Sequence, residues 1–510
     1  MDDEERPSFE ESEPAAPLLG PDRGPFREAP RPWHVATTPR AISAAACLAI
    51  FLWVFSGMVV MVPGTRLAED IFCRRHYGRV DADPIDEALC KADGIQSSIA
   101  WVFGLSMALG TVVGLVAVVP CGVLADRARK PVYLLAAAGQ FACVAWSLLV
   151  LRFWRVLPVE LILLASAFQL IGGGLAMAIV VLYAIMSDVS APEDRAIMYF
   201  FSSLAANLAV FAGPPVASKL IEVWSPWVPM SLSLIAAGVA GGIIILVPET
   251  AHSPKRSSQA DVSCFGASDQ GRRDAITSQF TRVFYNSDFR QLVKNRSVAL
   301  LLLVFMLAAP LPTGIGSLFL QYYSKRFGKS IEDAGYMLAI RGGLTIIAVG
   351  VLLPMLSRFL SSPSHLELPG YRRDLFVARA SAACAALGYF LLGGPNMAFL
   401  ISGMIILALS AGLSPLCRSL ISNVVRPDQT SQAFTIVSIV EGIGSLPAGP
   451  FLAWAFSSGM RLGDFWVGLP FYFLGSLGLI TLVVLCFIDI NPDMASFHTV
   501  AEEDYMQPNA

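Results

Sequence analysis

Twelve stretches of about 20 mostly apolar residues recur along the chain, and they limit its possible folds more than any other feature. A helix needs roughly 20 such residues to cross the hydrocarbon core of a bilayer. Because that core offers no water to backbone amides and carbonyls, each stretch is expected to be helical. The stretches lie at about 41–62, 98–120, 132–151, 161–186, 196–219, 227–248, 298–322, 334–356, 375–394, 397–417, 432–456 and 465–488. The sequence predicts an all-α polytopic membrane protein with twelve transmembrane helices.

The amino-acid composition excludes the other broad classes. Apolar residues make up 55% of the 510 residues and charged residues only 15%. Soluble domains carry about 45–50% and roughly 25%, and disordered chains fewer apolar residues still. The net charge of −3 gives no basis for nucleic-acid binding. The lipid bilayer is therefore the predicted partner, and nucleic acid is not.

The even number of spans places both chain ends on one side of the membrane. The loops after predicted spans 2, 6 and 8 are basic, which predicts that the ends are cytoplasmic. Residues 1–40 and 490–510 are then cytoplasmic tails, the first of them rich in Pro and Glu and predicted to be disordered. The polar segment 251–296 is a predicted cytoplasmic linker. It separates an N-terminal six-helix bundle at 41–250 from a C-terminal one at 297–489.

The two halves of the chain repeat each other. Met186–Val189 (MSDV) follows predicted span 4, and Ile421–Val424 (ISNV) follows predicted span 10 at an offset of 235 residues. One residue away from that offset, Ala212–Ala217 (AGPPVA) in predicted span 5 matches Ala448–Ala453 (AGPFLA) in predicted span 11. Two matches at equivalent spans indicate a duplication. Paired six-span halves are the plan of transporters whose substrate site lies between the halves, near the bilayer midplane.

A motif between predicted spans 2 and 3 points to a family. Gly122–Val132 reads GVLADRARKPV, which resembles the motif that the major facilitator superfamily carries at this place, although it is one residue shorter. The resemblance covers about 41–489 and implies two pseudo-symmetric six-helix bundles. Leu320–Gly328 (LQYYSKRFG) further resembles fungal facilitators that are distantly similar to proton-coupled folate transporters. Many such fungal proteins accompany secondary-metabolite pathways, so the resemblance implies export.

Two ionisable residues lie deep in the predicted spans. Glu441 would bind a proton or a substrate cation, and Arg341 would tune Glu441 or bind an anionic group. Alternatively, the two form a fixed ion pair that stabilises the C-terminal half. Gln169 and Asn207 are uncharged polar residues of predicted spans 4 and 5, and Gln169 stands about where the family often carries an arginine. We expect each of the two side chains either to face substrate or to form a hydrogen bond with a neighbouring helix.

Charged residues at the predicted cytoplasmic ends of the spans are candidates for a gate. By the family resemblance, Asp126 faces the N-terminus of span 11, whose dipole favours a negative charge, and with Arg127 keeps the inner side closed. The alternative is that the basic residues of this loop only set the topology. Arg195 and Glu249, at the ends of predicted spans 5 and 6, would form an ion pair that holds the same side closed, or would remain solvated charges.

The repeated glycine-proline pairs are candidates for hinges. Gly213 and Pro214 interrupt predicted span 5, and Gly449 and Pro450 interrupt predicted span 11. Proline within a membrane helix is tolerated because neighbouring helices satisfy the freed carbonyl. We expect both pairs to bend their spans at the interface between the halves, or to serve close helix packing alone.

Cysteines and histidines give two further expectations. Cys73 and Cys90 lie in the outer segment between predicted spans 1 and 2, where an oxidising compartment favours a disulfide over two free thiols. The five histidines are scattered in tails and loops, in no pattern that would hold a metal or support membrane-embedded catalysis. We therefore predict no metal, no cofactor and no enzymatic activity.

These expectations combine into one functional prediction. The chain is predicted to be a monomeric secondary transporter that exports a small organic molecule, a fungal metabolite or toxic compound, in exchange for protons. The alternatives are a proton-coupled importer of an organic solute, such as a carboxylate, and a sensor built on a transporter fold. The plasma membrane is the predicted location, with the vacuolar membrane as the alternative.

Overall fold

Twelve helical spans make up almost all of the described structure. The computed structural model describes residues 38–79, 87–190, 195–250, 296–361, 370–425 and 430–488, and contains no strand in these ranges. The spans, numbered 1 to 12, are Pro39–Tyr77, Asp93–Ala117, Arg129–Arg152, Val159–Val189, Ile197–Val223, Trp227–Leu246, Arg296–Ser317, Ile331–Leu356, Tyr371–Leu392, Met397–Ser422, Ile436–Leu462 and Asp464–Cys486. All are long and apolar enough to cross a bilayer, so the predicted number is confirmed. The predicted tails and linker fall almost entirely outside the described residues.

Several spans are built from two helical segments. Proline or glycine stands at most of these breaks, since proline removes a backbone donor and glycine weakens a helix. The segments are Val159–Leu170 and Gly174–Val189 in span 4, Arg296–Ala308 and Leu311–Ser317 in span 7, Ile331–Ile347 and Leu353–Ser361 in span 8, Met397–Leu409 and Leu413–Val424 in span 10, and Thr430–Ser445 and Ala448–Leu462 in span 11. The first of these is a 3₁₀-helix, and a π-helical turn joins the two segments of span 8.

Span 1 is longer than the sequence predicts. Its helix begins after Thr38, whose hydroxyl accepts a hydrogen bond from the Ala41 amide, and continues through Pro63 to Tyr77. The sequence predicts that span 1 ends near residue 62 and that a loop follows it. That prediction was wrong, because polar residues can continue a helix wherever tertiary contacts satisfy them. The helix ends at Gly78, which has a φ of 63°.

The break in span 4 requires glycine. Gly172, Gly173 and Gly174 have φ values of 80°, 82° and 59°, a left-handed conformation that side chains with a Cβ adopt at a cost. Span 3 crosses at this break, where a Cβ on Gly139 would collide with the Ile171 carbonyl oxygen. The turn therefore lets the backbones of spans 3 and 4 approach closely. It lies midway along the first bundle, which is our name for spans 1 to 6; spans 7 to 12 form the second bundle.

Buried hydrogen bonds connect the helices of the first bundle. The indole of Trp53 in span 1 donates to the Tyr133 hydroxyl of span 3 over 2.9 Å. That hydroxyl donates in turn to the Ala240 carbonyl of span 6 over 2.6 Å. Since unpaired polar groups are costly away from water, this chain of bonds aligns spans 1, 3 and 6.

The two bundles meet through spans 5 and 8 and through spans 2 and 11. At the first contact, a Cβ on Gly335 of span 8 would collide with the Ser218 hydroxyl of span 5. At the second contact, Gly104 of span 2 and Gly449 of span 11 face each other so closely that a Cβ on either would meet the other's backbone. Small residues thus bring the backbones of the two halves together.

We call the end of the molecule that carries residues 73 and 90 the disulfide end, because the structure joins Cys73 and Cys90 in a disulfide. Apolar residues of the first bundle, among them Val62 and Ala100, are buried there in one cluster with the second bundle. Polar contacts also cross between the bundles at this end: Ser97 with Ser457 at 2.7 Å, Lys325 with Asp93 at 2.6 Å, and Arg66 with Glu332 at 3.8 Å. The halves are therefore closed against each other at the disulfide end.

Candidate functional site

A cavity of about 460 Å³ lies within the second bundle, about halfway along its spans. Spans 7 to 11 contribute to its wall. Most of the wall is apolar, with Arg341 and Glu441 as its charged members. The lining residues are Val304, Phe305, Ala308, Ala309, Leu311, Pro312, Arg341, Ala385, Tyr389, Leu407, Ser410, Ala411, Leu413, Ser414, Cys417, Glu441, Gly442 and Ser445. Ligand sites typically measure about 300–1,000 Å³ and combine apolar walls with a few polar groups, so this cavity has the character of a small-molecule site.

Glu441 is paired with Arg418. The Arg418 Nη2 lies 2.7 and 2.9 Å from the two carboxylate oxygens of Glu441. The two side chains are 28% and 38% exposed, and the Arg418 guanidinium also lies 5.7 Å from the ring centre of Phe305. Charged groups inside a membrane helix are rare, and they normally pair with one another or face a cavity. The carboxylate and its cation therefore sit together beside the cavity.

Arg341 lines the same cavity without a carboxylate partner among the described residues. Its Nε is buried and has no hydrogen-bond acceptor. Arg341 lies about 15 Å along the helix from Ile331, which places it near the middle of a core about 30 Å thick. The structure thus brings Arg341 and Glu441 to one cavity, as the sequence predicts, but pairs Glu441 with a different arginine.

Arg418 does not stand out in the sequence. The predicted span 10 ended at residue 417, one position before it, and a charge at that place looks like an end-of-span residue. In the structure the helix Leu413–Val424 carries Arg418 inside span 10. The MSDV and ISNV repeat, which follows both spans 4 and 10, gives a signal for this, since the first copy lies within a helix as well.

Gln169 and Asn207 lie outside this cavity. The Gln169 amide nitrogen is 4.0 Å from the Cys143 Sγ of span 3, and its side chain packs against Gly174 at the break in span 4. The Asn207 amide donates to the Ser203 carbonyl one turn earlier on its own helix, over 2.8 Å. In this conformation both make contacts within the first bundle, and their predicted role toward substrate stays a prediction.

The predicted gate residues are only partly described. Asp126 and Arg127 end the helix of span 2, and Arg195 begins the helix of span 5. Their side chains lie outside what the structure describes, so their roles in closing the inner side stay predictions. Glu249 is described: its two carboxylate oxygens accept the backbone amides of Arg129 and Lys130, at 3.0 and 3.1 Å. Glu249 therefore holds the N-terminus of the span 3 helix.

Replacing Glu249 by alanine is expected to lower the free energy of unfolding by about 0.5–2 kcal/mol. The two backbone amides at the N-terminus of the span 3 helix would lose their hydrogen-bond acceptor, and the helix dipole would lose the negative charge that stabilises it. Glutamine should lower it less, since its side-chain oxygen still accepts one bond. Thermal unfolding of the purified protein in detergent measures both changes. Equal melting temperatures for the alanine variant and the unmodified protein would contradict this role of Glu249.

A second group of charges surrounds Glu69 at the disulfide end, and we call it the Glu69 cluster: Arg66, Glu69, Glu87, Lys91 and Gln96. The Glu69 side chain is 2% exposed. It accepts hydrogen bonds from Lys91 at 2.7 and 2.9 Å and from Gln96 at 2.5 Å. Arg66 lies 3.3 Å from Glu69 and reaches across to Glu332 of the second bundle. These residues do not stand out in the sequence, because they fall between predicted spans 1 and 2, where a loop is predicted.

The glycine-proline pairs differ between the two halves. Pro214 lies inside the continuous helix Arg195–Val223, whereas Pro450 stands in the first turn of Ala448–Leu462, after a break in span 11. Proline is tolerated in a first turn, where its missing N–H has no partner to lose.

The two glycines pack against neighbouring spans. Gly213 packs against Met58 of span 1, and Gly449 packs against Gly104 of span 2. Both glycines serve close packing, and the hinge role stays a prediction.

Comparisons with known proteins agree with this architecture. The sequence profile described as Major Facilitator Superfamily matches residues 92–449. The MFS efflux pump atnC of Emericella nidulans is 29% identical over 468 residues, which cover 88% of this chain and 89% of that protein. The MFS-type transporter aprT of Aspergillus flavus is 26% identical over 450 residues, covering 86% of each.

A solved structure shares the fold at low sequence identity. The peptide transporter POT in complex with sulfate superposes with a TM-score of 0.59 and 13% identity, and the match covers 90% of this chain and 98% of that chain. At this identity the likeness concerns the fold alone. With the matching profile, the twelve spans and the two six-helix bundles together, this chain belongs to the Major Facilitator Superfamily.

Proposed function

We propose that the chain exports a small organic molecule, such as a fungal secondary metabolite, in exchange for protons, and that it catalyses no chemical reaction. The observation that carries the proposal is the pairing of Glu441 with Arg418 beside a mid-depth cavity. A carboxylate at this depth can take up and release a proton at a site that substrate also reaches. The direction is supported by the relative atnC, which is named an efflux pump.

The proposed cycle uses the contacts between the bundles. The disulfide end is closed by the apolar cluster and by the polar contacts that cross there. Opening this end requires those contacts to separate and the bundles to tilt past one another, as in other transporters built from repeats. When Glu441 gains a proton it loses its attraction for Arg418, so protonation changes the charges that face substrate. Proton binding to Glu441 and substrate binding are thereby linked.

The remaining parts of the proposal concern location and assembly. We place the protein in the plasma membrane, with its disulfide end outside, where a disulfide is stable. The vacuolar membrane is the alternative. We propose that the protein works as a monomer.

Everted plasma-membrane vesicles from yeast that produces the protein provide the test, with fungal metabolites as probes. The lumen of such vesicles corresponds to the cell exterior. An acidic lumen should drive metabolite into the vesicles, and nigericin should abolish this accumulation by dissipating the pH gradient. An importer would instead give no accumulation, and a sensor would move nothing in either direction.

The variant Glu441→Gln is expected to reduce gradient-driven accumulation to the level of vesicles without the protein, because glutamine cannot exchange a proton. The control is Glu160→Gln, which changes an exposed carboxylate at the start of span 4, far from the cavity. Undiminished accumulation by Glu441→Gln would remove Glu441 as the coupling residue.

A further inference from the structure

The cavity of the second bundle carries a charge imbalance. Three charged side chains meet at or beside it: Arg341, Arg418 and Glu441. Glu441 accepts hydrogen bonds from Arg418 through both of its oxygens, so these two charges cancel. Arg341 has no ion-pair partner among the described residues. The cavity therefore holds one uncompensated positive charge within an apolar wall.

An unpaired guanidinium is costly in such a place. A buried charge without a partner loses much of its hydration free energy, and charged groups within the membrane normally pair or face a site that they serve. The Arg341 Nε is buried and makes no hydrogen bond. A guanidinium has five donors in a planar fork that matches a carboxylate, so the most direct source of compensation is an anion in the cavity.

Three hydroxyl groups of the cavity wall already have partners. The Tyr389 hydroxyl donates to the Leu311 carbonyl. The Ser410 hydroxyl donates to the Leu407 carbonyl over 2.7 Å, and the Ser445 hydroxyl to the Gly442 carbonyl over 3.0 Å. Three hydroxyls are thus engaged with backbone carbonyls at the breaks of spans 7, 10 and 11. Arg341 remains as the charged donor that a ligand can reach.

We infer that the substrate is an amphipathic organic anion, whose carboxylate or similar acidic group binds Arg341 while its apolar body packs against Val304, Phe305 and Leu407. This inference rests on the proposed transport function and specifies the substrate class. A cationic substrate fits less well, since it would have to displace Arg418 from Glu441 and would meet the unpaired charge of Arg341. A volume of about 460 Å³ accommodates a body of two or more fused rings.

The test compares an acid with its neutral isostere. The probes are naphthalene-2-carboxylate and naphthalene-2-carboxamide, together with 4-phenylbutanoate and its amide. Each is added to the purified full-length protein in detergent at neutral pH, and the melting temperature is measured against probe concentration. Ligands that bind only the folded state raise the melting temperature. The carboxylates are expected to raise the melting temperature at concentrations about ten to a hundred times lower than their amides do, because a hydrogen bond to a charged group is stronger than one between neutral groups.

Variants of Arg341 decide whether this side chain is responsible. Arg341→Gln is expected to remove the difference between acid and amide, and Arg341→Lys to retain part of it, because lysine keeps the charge but loses the planar fork. Arg461→Gln changes an exposed arginine at the end of span 11 and should bind like the unmodified protein. Because Arg341 has no ion-pair partner among the described residues, Arg341→Gln should fold, and its melting temperature without ligand reports this directly.

Three results would overturn the inference: amides that stabilise the protein as well as their acids, no stabilisation by either carboxylate up to 10 mM, or an acid preference that persists in Arg341→Gln. These outcomes are separate from those of the vesicle assay. If accumulation is driven by the pH gradient but the protein does not bind the carboxylates more tightly than the amides, the proposed export is supported and the anionic substrate class is contradicted. If the protein prefers the carboxylates but no accumulation occurs, the anion site is supported and the proposed export is contradicted.

Discussion

Replacing Glu69 by alanine is expected to lower the free energy of unfolding by about 3–5 kcal/mol, because it removes one partner from a buried ionic cluster. The Glu69 carboxylate is 2% exposed and accepts hydrogen bonds from Lys91 at 2.7 and 2.9 Å and from Gln96 at 2.5 Å. Without it, Lys91 keeps a single bond to Glu87 at 2.9 Å. Arg66 also loses a partner on the side from which it reaches the second bundle. Thermal unfolding in detergent micelles measures the loss.

A matched control for Glu69 lies at the same end of the molecule. Glu160 pairs with Arg75 at 2.6 Å, but the two side chains are 46% and 61% exposed. Solvent screens such a pair, so Glu160→Ala should cost at most about 1 kcal/mol. Glu69→Gln keeps an acceptor without the charge and should fall between the two. If the two alanine variants lowered the melting temperature equally, burial would not be what makes the Glu69 cluster stabilising.

Replacing Gly104 by valine is expected to abolish transport. A Cβ on Gly104 would lie 2.5 Å from the Gly449 carbonyl oxygen, which is backbone and cannot move aside as a flexible side chain would. The two spans would have to separate, and the Ser97–Ser457 hydrogen bond, two turns nearer the disulfide end, would be lost with them. A carrier that cannot close one end cannot alternate. Flux in the everted vesicles measures the effect.

Gly114 provides the control on the same helix. Within the described ranges of the chain, no heavy atom lies within 4 Å of the place where its Cβ would stand. Gly114→Val should therefore transport like the unmodified protein, and melting temperatures of both variants show whether each is folded. Normal flux by a folded Gly104→Val would mean that the disulfide end closes by some other contact than the crossing of spans 2 and 11.

Some properties of this protein are readable from local sequence. The twelve spans follow from apolar stretches that meet the length requirement of the bilayer, whatever their neighbours are. The repeat of AGPPVA and AGPFLA marks equivalent helices in the two bundles. Glu441 and Arg341 stand out for the same reason, because a charge within a long apolar stretch is costly enough to be informative.

Other properties depend on contacts that no local pattern encodes. The helix of span 1 continues through polar residues to Tyr77 because the Glu69 cluster satisfies their charges. Arg418 lies inside span 10, although a hydropathy window ends one residue before it. Glu249 binds the backbone at the start of span 3, which is 120 residues away along the chain.

The sequence by itself determined the class, the number of spans and the two charges within them. Those features depend on composition over about 20 residues, and the bilayer imposes the same requirement on every span. Only the tertiary structure decided that Arg418 neutralises Glu441, that Arg341 faces the cavity with no ion-pair partner in the described part of the chain, and that Gly104 meets Gly449. Each of these depends on how helices distant in sequence are rotated and packed against one another, because an ion pair or a backbone contact needs positions within a few ångströms.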